Sequence, residues 1–235
     1  MGSSGMDMPI EAAAQRTQWR ARRVSACEFL LGAVIVIGHN IYHVIPNEVP
    51  ILGVLAIVSM RLRAGAWRWI SLGFRRPGSW GYIVLIALVA AAVRLILGSF
   101  VIEPVTAHFW PPIKAPAEAS DVHGHFAAVL TYLPIVWVFA GFGEEISYRG
   151  YLLNKLNDVF GRSRAANALA VFASATLFGY GHYYKGPAGI LDSGVAGVIL
   201  GIAYLLSGRN LWTCILAHGF IDTFALFAAY LGWDN

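Results

Sequence analysis

The sequence predicts an all-α protein, a polytopic membrane helical bundle of about seven transmembrane helices. Three observations carry this reading. Hydrophobic residues make up 57% of the 235 residues and charged residues only 13%, about half the usual charged share of a water-soluble domain. Mean hydropathy is +0.61, more apolar surface than a soluble fold of this size can bury, whereas lipid solvates it readily. The apolar residues also fall in long runs, and an open strand edge in lipid would strand its backbone polar groups, so the runs are read as helices.

In order along the chain, residues 1–26 form a polar, basic segment with Arg16, Arg20, Arg22 and Arg23. It lacks an apolar core before a small-residue cleavage site, so it is not read as a cleavable signal, and its first residues have the character of a tag. Residues 27–235 read as a single transmembrane domain with apolar stretches at about 27–45, 48–60, 80–102, 125–147, 165–184, 189–207 and 210–231. The second is short for a span and is read as tilted or re-entrant. There is no internal repeat. Cys27 and Cys214 suggest neither a disulfide framework nor a thiolate metal site.

Orientation follows from charge. With a cytoplasmic N-terminus, the inner segments carry thirteen Lys and Arg: the four above, Arg61, Arg63, Arg68, Arg75, Arg76, Lys155, Arg162, Arg164 and Arg209. The outer segments carry two, Lys114 and Lys185. This bias matches the positive-inside rule, and Trp67, Trp69 and Trp80 suit an interfacial belt. An outer loop is expected over 103–124, with Pro104, Pro111, Pro112 and Pro116. The basic pI reflects orientation, so no nucleic-acid partner is expected; the bilayer itself is one. The chain is read as an integral protein of a bacterial or archaeal cell membrane. Oligomeric state leaves no mark on the sequence.

Ionisable residues inside spans are costly and point to function. In Glu144-Glu145-Ile-Ser-Tyr-Arg149, Glu145 and Arg149 share a helical face and can pair. Glu144 points about 100° away and lacks that partner, which suits it to act as a general base. The competing explanation is an ion pair at a helix end. In Phe178-Gly-Tyr-Gly-His182, Phe178 and His182 share a face, and the glycines permit close approach; a histidine in such a place is more often structural. In His218-Gly-Phe-Ile-Asp222, the pair can bind metal, donate to an oxyanion or hydrogen-bond between helices. Measured from the nearest polar turns, Glu144, His182 and His218 lie about 17, 27 and 14 Å deep. Each motif has a structural explanation alone; their meeting at similar depth favours a shared intramembrane pocket.

The ordered set EExxxR, FxxxH and HxxxN/D resembles the CPBP intramembrane proteases, the family of type II CAAX prenyl endopeptidases and bacteriocin-processing or Abi relatives. The resemblance covers about residues 80–231. It implies an endopeptidase acting on a membrane-associated peptide or protein substrate, of CAAX type or a bacterial peptide. Glu144 would activate the attacking water with help from His182, His218 and Asp222 would stabilise the oxyanion, and Glu145 and Arg149 would support the site. Asp222 stands where family members often have Asn; an ionised aspartate cannot donate a hydrogen bond. It is therefore protonated, orients His218 as a carboxylate, or ligates a metal. Metal-independent glutamate chemistry is favoured, with no cofactor, and a zinc enzyme is the alternative. The competing functions are a non-catalytic binding or immunity protein and a proton- or ion-coupled transporter using the same polar cluster.

Other candidates carry less. His39 and His43 are four apart, a potential metal pair for which interfacial packing is favoured. His108, His123 and His125 look solvated. Arg94 is expected to snorkel or to pair with Asp192, and Asp192 has a minority reading at a substrate entry.

Overall fold

A computed structural model describes residues 7–64, 67–110 and 122–233. Among them the chain is helical, with seven rods: α1 (Asp7–Asn40), α2 (Glu48–Ala64), α3 (Trp80–Phe109), α4 (Phe126–Phe160), α5 (Arg164–Tyr180), α6 (Gly186–Leu206) and α7 (Leu211–Leu231). Among the described residues, four helices are long and apolar enough to cross a membrane: α3, α4, α6 with its preceding turn, and α7. Leu30, Val34, Leu88, Phe100, Phe139 and Ile202 all face outward, as the outer wall of a bundle in lipid requires.

Several boundaries differ from those read in the sequence. The basic segment and the first apolar run are one helix of 34 residues, about 50 Å long at 1.5 Å per residue and hence longer than the hydrocarbon layer. The third span does not end near 102. It passes through a π-helical turn, Gly98–Ile102, and continues as helix to Phe109. Pro104 lies in the first turn of that continuation, where a missing N–H leaves no intrahelical bond unmade. The loop expected from 103 therefore begins later, and Pro111, Pro112, Lys114 and Pro116 lie outside the described residues.

The fourth helix runs 35 residues to Phe160, well past the 147 read as the end of its apolar stretch, and Lys155 lies within it. Its centre is not α-helical: Val136–Glu144 and Ile146–Leu152 are π-helical. Pro134, inside the helix just before, removes one N–H from the i→i−4 ladder, a recognised cause of such irregularity. The chain then turns at Gly161, with φ of 90°, and Ser163 caps α5 by accepting from the Ala166 N–H at 3.2 Å.

Small residues set how closely the helices approach. Val171, Ala175 and Gly179 of α5 meet Gly201, Gly197 and Gly194 of α6; a methyl at Gly197 would lie 2.9 Å from Ala175 Cα. Ala87, Ala90, Ala203 and Ala217 form a similar seam between α3, α6 and α7. Such contacts let backbones pack where lipid provides no hydrophobic drive. Their effect here is to press α5, α6 and α7 around the middle of α4.

Candidate active site

The middle of α4 delivers two adjacent carboxylates into different surroundings. Glu145 is fully buried, and its Oε1 accepts from Arg149 Nη1 at 2.7 Å. The same oxygen accepts from His218 Nδ1, also at 2.7 Å. Arg149 is itself 1% exposed; its Nη2 donates to the Gly197 carbonyl at 3.3 Å, and its guanidinium lies 4.6 Å from the Phe178 ring centre. A buried charge persists only when paired and hydrogen-bonded, and Glu145, Arg149 and His218 satisfy that condition for one another. Gly197 serves twice, admitting α5 closely and presenting a bare carbonyl to Arg149.

Glu144 has no such partner. Its Oε2 is buried and makes no hydrogen bond within the protein, while His218, Asp222, Glu145 and Arg149 are the charged groups acting on it. Glu145 Oε2 is likewise buried without a partner, so the two acids differ in that only Glu145 has an oxygen held by Arg149 and His218. The regular α-helical geometry assumed from the sequence does not hold, because Glu145 is the junction between two π-helical stretches, and π-bulges recur at functional sites.

The two histidines flank one aromatic ring. Phe178 sits 4.9 Å from His182 and 6.0 Å from His218 between ring centres. His182 lies in the turn after α5 rather than on its helical face, because the helix ends at Tyr180. Its Nδ1 nevertheless reaches the Phe178 carbonyl at 3.0 Å. A carbonyl only accepts, so Nδ1 carries a proton, and in the neutral ring Nε2 is left with a lone pair. His218 is 8% exposed, its Nε2 3.7 Å from Asp222 Oδ2. That contact is looser than the one to Glu145, which the sequence reading did not anticipate. Trp137 of α4 packs over Gly219, where a methyl would meet the ring at 2.6 Å, and donates to Thr223 at 3.1 Å. This contact sets the rotation of α7 that aims His218 inward.

Two participants were missed. Glu48, in the first turn of α2, is buried, pairs with His39 at 3.1 Å and acts electrostatically on Tyr148. Tyr148 packs edge-on against Phe178 at 4.9 Å. The available signal was an acid at the head of an apolar run. His39 thus belongs to a structural contact, its Nδ1 on the Ile45 carbonyl, and His43 stands apart in an exposed turn. Arg94 pairs with Asp192 at 2.6 Å. His108, His123 and His125 are exposed.

A catalytic zinc ion takes three protein ligands and leaves a fourth position open. Among the described residues no three His, Cys, Asp or Glu side chains gather as a metal site. Glu145 Oε1 and His218 Nδ1 are already committed to each other. That donor set does not fit the ion.

Comparison with known proteins adds one family. No curated protein and no solved structure matches the chain. Residues 126–224 match a family model, a narrower stretch than the 80–231 read from the motifs, yet it holds Glu144, Glu145, Arg149, His182, His218 and Asp222. The family so matched, type II CAAX prenyl endopeptidase Rce1-like, is the CAAX protease family that the motif order resembles.

Proposed function

We propose that this chain is an intramembrane endopeptidase that hydrolyses a peptide bond of a membrane-associated, CAAX-type substrate with water activated by Glu144. One observation carries the reading: of two adjacent carboxylates, Glu145 has one oxygen held by both Arg149 and His218, whereas Glu144 makes no hydrogen bond or ion pair to any described residue. A fixed acid beside an uncommitted one suits a general base backed by a rigid support.

In this mechanism Glu144 takes a proton from water as the water oxygen adds to the scissile carbonyl carbon. His182 holds the same water through the Nε2 lone pair. The carbonyl oxygen becomes an oxyanion, and His218, flanked by Glu145 and Asp222 and carrying both ring protons, donates to it from Nε2. Collapse breaks the carbon–nitrogen bond, and the departing amine takes the proton from Glu144. Asp222 acts as a carboxylate that orients His218. The basic end of the bundle faces the cytoplasm, and α1, α2 and α5 lie in the bilayer beside the four long apolar helices.

The test is cleavage of a prenylated CAAX-ended peptide by the purified protein in phosphatidylcholine liposomes, with products identified by mass. Wild-type protein is expected to release a C-terminal fragment, and Glu144→Gln none. Proton or ion flux through the same liposomes without any cleavage would defeat the proposal and assign the polar cluster to transport.

A further inference from the structure

Toward the basic end of the bundle, beyond Arg149, lies a cavity of about 340 Å³. Six cations line it, Arg63, Arg68, Arg75, Lys155, Arg162 and Arg209, against one carboxylate, Asp158. Two are neutralised. Arg63 pairs with Glu28 at 2.6 Å and Asp158 at 3.7 Å, and Lys155 pairs with Glu28 at 3.0 Å. Among the described residues no carboxylate pairs with the other four.

Arg209 is held in place without being neutralised. Its guanidinium donates to the side-chain oxygens of Asn154, Asn157 and Asn167 at 3.3, 2.8 and 2.8 Å. Its backbone is left-handed, with φ of 61°, a conformation that costs a non-glycine residue energy and persists only where the surroundings impose it. Burial first, then the like charges of Arg162 and Arg75, lower its proton affinity. Arg75 adds a buried Nε with no hydrogen-bond partner.

Like charges gathered around a cavity are relieved by an anion. Planar guanidinium forks suit phosphate oxygens, and these forks arrive from three chain segments, around 68–75, at 162 and at 209. A planar carboxylate offers oxygens in one plane, whereas a tetrahedral phosphate offers them in several directions. We propose that this cavity binds a phosphate-bearing anion, either the headgroup of an acidic phospholipid or free phosphate, through Arg68, Arg75, Arg162 and Arg209.

The test compares thermal stability of the full chain with two probes: inorganic phosphate titrated in neutral detergent, and phosphatidic acid doped into phosphatidylcholine nanodiscs. Arg68 and Arg162 are exposed, so Arg68→Gln/Arg162→Gln should fold. Arg61→Gln/Arg76→Gln removes the same charge outside the cavity. Wild type and the control pair are expected to be stabilised by at least one probe, with the half-effect concentration raised about tenfold or more in the cavity pair. Stabilisation by inorganic phosphate identifies a free-anion site, and stabilisation by phosphatidic acid alone identifies a headgroup site; either supports the proposal. No stabilisation of wild type, or equal responses from the two variant pairs, overturns it. Neither readout depends on peptide cleavage.

Discussion

His218 and Arg149 reach the same oxygen of Glu145, each at 2.7 Å. One carboxylate oxygen thereby ties α7 to α4, and Arg149 extends the tie to α6 through the Gly197 carbonyl. The arrangement divides the labour of the two neighbouring acids, one for architecture and one for chemistry.

Glu145→Gln is therefore expected to cost stability as well as activity. An amide cannot balance Arg149 and His218 in a buried setting, and breaking such a pair costs about 3–5 kcal/mol. Unfolding in mixed SDS and neutral detergent should show the loss, and an unchanged midpoint would contradict the structural role.

Glu144→Gln should behave in the opposite way. No protein partner is lost at Oε2, so the unfolding midpoint should hold or rise. Peptide cleavage should fall by about 10² or more, the scale of general-base catalysis. Retained cleavage at the wild-type rate would remove Glu144 from its assigned role.

Asp222→Ala and Asp222→Asn should separate orientation from charge. The 3.7 Å approach to His218 Nε2 is longer than a hydrogen bond, and an amide oxygen of the same shape can take that place beside the ring. Asn is expected to retain most activity, and Ala to lose about tenfold or more. Equal losses in both would mean that the negative charge itself is required.

Gly219→Ala should move His218 without touching it. The added methyl meets the Trp137 ring at 2.6 Å, and either the ring or α7 must shift. Overpacking of this kind costs about 1–3 kcal/mol; kcat is expected to drop further than KM changes, because the displaced ring is the one assigned to the oxyanion. The paired measurement of unfolding midpoint and kinetics checks both halves.

Extensive dialysis against a strong chelator should leave cleavage unchanged, with metal content of the same sample measured by mass spectrometry. Loss of activity restored by zinc would contradict the fit judged from the donor set.

Much of the candidate site could be read from spacing. Glu145 and Arg149 are four apart, and the pairing follows from the pitch of a helix alone. The isolation of Glu144 is the same local argument. Spacing alone does not account for His182: it lies past the helix end, and its bond to the Phe178 carbonyl brings it back beside that ring. The continuation of α3 through Pro104 and of α4 through its π-helical centre escaped a reading based on hydropathy, because helix ends and helix type depend on a few backbone hydrogen bonds.

What the sequence alone determined is local: which charges fall within apolar runs, how far apart they lie along each run, and which end of the bundle is basic. Only the tertiary structure decided that His218 answers Glu145 across 73 positions, that Glu48 stands near Tyr148, and that the arginines of separate segments surround one cavity. Helical periodicity relates residues within a turn or two. It carries no information about which face meets which, and here that choice is made by glycine and alanine seams distributed over several helices.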